Sequence, residues 1–198
     1  IGILEICCGE RSKISALADQ GDAFMTRRVT ERDDLLSSEG CKGALRKLNE
    51  ISNCSTKLVW CSLPCIGGSP LANCNMHHDG FAEKLAADKA QFEQLLNKTK
   101  PILAKAKEVG AYIAFELSER CRYWSRHDIQ QLVEELGLTI VTCHGCDVGL
   151  TATAKKYRGM AMGKGWKIAT DCAPLAISLS KRTCKLCKEG RGHAPCEG

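Results

Sequence analysis

The chain has 198 residues, 44% of them hydrophobic and 26% charged, with a formal net charge of +5 and fourteen cysteines. That length and balance suit one domain with a real core, or one domain with a small appendage, and exclude a disordered or fibrous chain. No apolar run approaches the roughly 20 residues of a membrane span. No N-terminal segment reads as a signal or transit peptide, so neither a membrane nor export is expected.

The cysteines fall inside strand-like and helix-like segments of an α/β pattern. Reduced thiols, some of them binding metal, fit this better than a disulfide framework, and an intracellular, reducing compartment is expected. The chain opens on "IGILEICCG", without Met and already inside an apolar run. A processed product or a fragment of something longer is therefore expected. Charge is uneven: residues 1–150 hold 18 Lys and Arg against 20 Asp and Glu, and residues 151–198 hold 10 against 3. A basic tail of this kind suits phosphate contacts as well as it suits a solvated surface.

In chain order, "IGILEIC" (1–7) predicts a buried strand, and "SKISALADQG" (12–21) a helix stopped by Gly21. Residues 23–30 predict a second strand ending in the acidic "ERDD", and 39–51 a short amphipathic helix. "KLVWCSL" (57–63) reads as the third strand. Residues 80–110 carry Leu85, Phe92, Leu95, Leu96 and Leu103 at helical spacing, with Pro101 expected to kink that helix or split it. Strand 111–116, helix 125–137 with Ser125 and Asp128 as a capping box, strands 138–143 and 165–170, and helix 174–180 opening on a proline complete the pattern. Alternating strands and helices predict a mostly parallel sheet covered on both faces, with ligands at the carboxyl ends of its strands.

Chemistry-bearing residues gather at those ends. In "LEICCGERS", Glu5 lies four residues before Gly9, where a glycine admits a close ligand. Glu31 follows the second strand, where nucleoside-binding α/β folds place a carboxylate that accepts both ribose hydroxyls. In "LVWCSLPCIGGSP", Pro64 fixes a torsion before Cys65, and the glycines after it permit a tight loop within which Ser69 can hydrogen-bond. A thiol held there, among backbone amides, is a candidate nucleophile. Glu116 closes the next strand, on the same rim.

In this order the motifs resemble the AdoMet-dependent DNA cytosine carbon-5 methyltransferases. That class carries Pro-Cys-x-x-x-Ser, matched by Pro64, Cys65 and Ser69, and a Glu ending the following strand, matched by Glu116. "SLPCIGGSP", "ELSERCRYW", "GKGWKIAT" and "HAPCEG" further resemble a DNA-methylase-like family of viruses and mobile elements. The resemblance implies a Rossmann-like methyltransferase domain over residues 1–180. It also implies Cys65 attacking carbon 6 of a cytosine while Glu116 holds ring nitrogen 3, and Glu5, Gly9 and Glu31 lining the AdoMet site. The implied partner is nucleic acid, DNA above RNA. Arg11 and Ser12 stand where the class has glycines, its Gln-x-Arg-x-Arg segment is missing, and no target-recognition domain fits in this length. A protein partner or a missing segment would supply recognition. Otherwise the chain is a catalytically silent module binding nucleic acid or protein through its tail. Methylation of an amino group fits less well, since Ser62-Leu63-Pro64-Cys65 stands where that chemistry has Asp/Asn-Pro-Pro-aromatic.

The tail, residues 181–198, holds Cys184, Cys187, His193 and Cys196 at C-x2-C-x5-H-x2-C spacing, a donor set suited to a structural zinc. Cys146, in "CHGC", is an alternative to Cys184 that the resemblance favours. His144 is expected to be a solvated loop residue.

Overall fold

The computed structural model describes residues 1–198 apart from 11, 19, 20, 22, 71, 73–75, 185–191 and 195–198. Strands β1 (Gly2–Ile6), β2 (Met25–Val29), β3 (Lys57–Cys61), β4 (Tyr112–Ser118), β5 (Thr139–His144) and β6 (Gly165–Thr170) form one mixed sheet in the order β2-β1-β3-β4-β6-β5. The β2, β1, β3 and β4 neighbours pair in parallel, whereas β6 runs antiparallel to both β4 and β5. The helices are α1 (Lys13–Ala18), α2 (Ser38–Ile51), α3 (Phe81–Glu108), α4 (His127–Glu135) and α5 (Ala173–Ser180). The chain is thus an α/β protein, as its alternating pattern predicts.

Side chains of a strand alternate between the two faces of a sheet. Leu4, Ile6, Val59, Cys61, Ile113 and Phe115 join Leu48, Phe92, Leu96 and Ile129 of the helices in the main core. Each such apolar side chain, once buried, stabilises the fold by about 1.5–3 kcal/mol, so this face dominates stability. A smaller cluster on the opposite face unites Ala114, Cys143 and Ile168 with Trp60, Trp166, and Leu175 and Leu179 of α5. No helix among the described residues is long and apolar enough to cross a membrane.

Local chemistry sets the boundaries. Ser37 opens α2 by accepting the Gly40 amide at its Oγ, 2.9 Å. Strand β3 ends at Cys61, two residues before the expected limit, because Leu63 precedes a proline and the chain turns away. Pro101 does not split α3, which runs as one helix of 28 residues. Asn97 and Pro101 are both exposed, so the carbonyl that a proline leaves without an amide partner lies toward solvent. The capping box expected at Ser125 and Asp128 does not form. Asp128 is instead held by Arg126, at 3.0 and 2.9 Å, and the Ser125 hydroxyl donates to the Arg122 carbonyl at 2.8 Å.

Candidate functional site

The parallel register brings the ends of β1, β3 and β4 to one rim. Glu5 lies beside Trp60, and Trp60 beside Ala114, so Ser62 comes opposite Glu116. The Ser62 hydroxyl donates to Glu116 Oε2 at 2.8 Å, and Trp60 Nε1 donates to the same oxygen at 3.3 Å. Both donors act on Oε2, and Glu116 as a whole is half-buried at the rim.

Past Ser62, Pro64 is exposed and Cys65 is half-buried. Cys65 has φ −110° and ψ 19°, in the sparsely populated bridge region, and opens the three-ten turn Ile66–Gly68. Ser69 closes that turn, its amide donating to the Ile66 carbonyl at 3.0 Å. The turn lies flat against Tyr123, which itself stacks on Phe92 with ring centroids 3.9 Å apart. A Cβ added to Gly68 would stand 2.6 Å from Cys121 Sγ and 2.9 Å from Tyr123 Cγ, so the close approach requires glycine. A cleft of about 260 Å³ beside this turn is lined by Ser69, Lys89, Arg122 and Arg126 among others.

The electrostatics single out one thiol. Hydrogen bonding from the Cys121 thiol is the largest influence on Cys65. With the amide and hydroxyl of Ser118, it outweighs burial and the Glu116 charge and holds Cys65 down at about 5. Cys65 Sγ lies 3.7 Å from Ser118 Oγ. Burial pushes Cys7 up to about 12 and Cys8 up to about 11, and raises Cys61 and Cys143 as well. Cys121 is raised by donating to Cys65 and by burial. Fourteen cysteines make a cysteine at any chosen position unremarkable, but Cys65 is lowered where these neighbours are raised, which makes it the sulfur most inclined to ionise.

The other rim residues divide. Glu5 is 2% exposed, and its carboxylate accepts from the Ser15 amide at 3.1 Å and from the hydroxyls of Ser12 and Ser15. Those donors make a buried charge tolerable and fix the turn from β1 into α1, leaving Glu5 facing the helix rather than open space. Cys7, at φ 57°, takes the left-handed conformation that starts this loop. Gly9 has open space where a Cβ would be. Glu31 is exposed at the end of β2, in a turn closed by Thr30 N donating to Asp33 Oδ2 at 2.7 Å.

At the far end of the rim, one donor atom each from Cys146, Cys184 and His193 lie within 4.8 Å of one another. Cys184 Sγ and His193 Nε2 are 3.6 Å apart. Ligand atoms around a tetrahedral zinc stand roughly 3.5–3.8 Å apart, given bonds of about 2.0–2.3 Å, so this donor set can hold such an ion. Cys146 and Cys184 both belong to this cluster. Cys187 and Cys196 lie outside the described residues. His144 is not solvated: it ends β5, is 5% exposed, and accepts the Cys184 amide at Nδ1, 2.9 Å. Its own amide donates to the Arg182 carbonyl at 2.8 Å, and Ala194 N donates to Ala161 O at 2.8 Å, which ties the tail to the rim.

Ser62, Trp60, Ser118 and Cys121 do not stand out in the sequence as partners of Cys65 and Glu116. The parallel register of β3 with β4 is the signal that would find them. No protein-family model, curated protein or solved structure matches this chain.

Proposed function

We propose that this chain is an AdoMet-dependent methyltransferase acting on a nucleic-acid base, with cytosine carbon 5 in DNA as its target. The observation that carries the reading is the meeting on one rim of a Cys65 thiol lowered by its partners with Glu116, which Ser62 and Trp60 hold through Oε2. The sheet order, with one reversed strand between the last two parallel ones, also suits the Rossmann-like methyltransferase fold.

In this reading the Cys65 thiolate attacks ring carbon 6, and the new bond places negative charge on the ring. Glu116, oriented by Ser62 and Trp60, acts as a general acid that gives ring nitrogen 3 a proton as that charge develops and takes it back when the adduct breaks. Bound AdoMet supplies an electrophilic methyl group for carbon 5. Solvent water then takes the carbon-5 proton, the electron pair left behind re-forms the ring double bond, and the Cys65 sulfur leaves carbon 6 as the thiolate. The Glu31 carboxylate suits a ribose diol, and Gly9 gives the adenosyl group room; Glu5 acts through the loop it holds. A duplex target has to be flipped out, at a cost of a few kcal/mol. The basic stretch 151–198 offers the phosphate contacts that help offset this cost.

The Cys146, Cys184 and His193 cluster is proposed to hold a structural zinc that fastens the tail as a small element on the domain. The test combines AdoMet calorimetry with covalent trapping on DNA containing 5-fluorocytosine, and Cys65→Ser as control. Binding and trapping that disappear in the mutant support the proposal. Binding without trapping removes cytosine as the target. Absence of binding favours the silent module, in which the zinc element and basic tail engage nucleic acid or protein.

A further inference from the structure

The surroundings of Cys65 contain more than a nucleophile needs. Cys121 is 4% exposed and opens the three-ten turn Arg122–Ser125, just past the end of β4. Its Sγ lies 4.0 Å from the Cys65 carbonyl oxygen, and of all its neighbours the Cys121 thiol influences the Cys65 sulfur most. Gly68 is what admits it, since a Cβ there would overlap the Cys121 sulfur. Both are free thiols. One sulfur is therefore half-open to solvent and the other is buried directly behind it, the arrangement of an attacking and a resolving cysteine.

We propose that Cys65 is a modification site for hydroperoxides and that Cys121 resolves the product into an intramolecular Cys65–Cys121 disulfide. In the first step the Cys65 thiolate attacks one peroxide oxygen. The O–O bond breaks, and the other oxygen leaves as hydroxide or alkoxide, which takes a proton from solvent. Cys65 is then a sulfenic acid. In the second step the Cys121 sulfur attacks Cys65 Sγ, the S–O bond breaks, and hydroxide leaves with the Cys121 proton as water. The two sulfurs together lose two electrons, both accepted by the peroxide. Two thiols restore the pair by exchange.

The disulfide removes the nucleophile and shields it from over-oxidation. That consequence, reversible loss of methyl transfer, rests on the function proposed above, whereas the cross-link does not. The experiment treats the full chain with hydrogen peroxide, blocks remaining thiols, and maps disulfide-linked peptides by mass spectrometry. The expected result is a Cys65–Cys121 peptide pair, at least tenfold more abundant than any other link and abolished by dithiothreitol. In Cys121→Ser, Cys65 is expected to run on to sulfinic acid, with sulfenic-acid labelling by dimedone raised several-fold. Direct sulfinic acid at Cys65 in the unaltered chain, or a dominant link to a different cysteine, overturns the proposal. Because the mapping uses the unaltered protein, it stands even if Cys121→Ser folds poorly. Trapping by reduced protein without this cross-link sinks the switch alone. The cross-link without trapping sinks the methyltransferase reading alone.

Discussion

Ser62 and Glu116 face each other across neighbouring parallel strands, with the hydroxyl of one donating to the carboxylate of the other at 2.8 Å. Trp60 Nε1 donates to both, at 2.9 Å to Ser62 Oγ and 3.3 Å to Glu116 Oε2. Ser62 and Trp60 thus hold Glu116 through its Oε2.

Removing that hydroxyl should therefore slow chemistry more than it weakens binding. Ser62→Ala gives up the hydrogen bond that orients Glu116, worth about 1.4 kcal/mol, or roughly tenfold in rate. The expected outcome is a tenfold slower single-turnover trapping rate on 5-fluorocytosine DNA with DNA affinity unchanged. Equal rates for the mutant and the parent would show that Glu116 does not depend on this contact.

Cys65 should alkylate first and at unusually low pH. Only the thiolate reacts, so the rate rises with pH through the thiol's own pKa and then levels off. An ordinary thiol near 9.0 is about 1% ionised at pH 7, whereas Cys65, lowered to about 5, has already reached its plateau. Iodoacetamide labelling from pH 4 to 9, read peptide by peptide, should place Cys65 well ahead of Cys7. Cys121→Ala removes the largest lowering influence, and the Cys65 midpoint should move upward.

The tail cluster should hold one zinc per chain. Cys146→Ser, Cys184→Ser and His193→Ala should each lower the bound metal, measured by atomic emission. Cobalt substitution should give the thiolate-to-metal absorption of a site with at least two sulfurs. Chelation should cost at least about 2 kcal/mol, a fall of roughly 4–8 °C in melting temperature for a chain of this size. Metal loss with no change in melting would mean that the tail is not fastened through it.

Gly40 offers a test of how the Glu31 turn is held. A Cβ there would overlap the carbonyl oxygens of Asp33 and Asp34, so α2 must shift away from the end of β2. Gly40→Ala should destabilise by about 1–3 kcal/mol in urea unfolding, as overpacking typically does. It should also weaken AdoMet binding through displacement of Glu31.

The strand ends carrying Glu5, Cys65 and Glu116 were legible because apolar runs stop abruptly at turn residues, a signal local to the chain. What Glu5 does was not legible. Its partners Ser12 and Ser15 come into reach only when α1 folds back on the sheet. The continuity of α3 through Pro101 was hidden for a similar reason, since the packing of Leu96, Ile102 and Leu103 on both sides of the proline overrides local preference. His144 looked like a loop residue because its strand alternates weakly, with Thr139 and Ile140 exposed. The reversal of β6 has no local signature at all, because strand direction is set by which neighbour it meets.

That reversal also decides where this protein can change. Residues 145–164 leave the sheet beside His144 and re-enter it at Gly165, and these two residues are paired partners. The excursion thus begins and ends at one point, like the stem of a hairpin, and lengthening it moves no strand. The connection from β3 to β4 has no such freedom, since it must carry the chain from the carboxyl end of β3 back to the amino end of its parallel neighbour. A change in the length of residues 145–164 would be felt first by the tail, which Ala161 and Cys146 meet, and not by the register of β3 with β4.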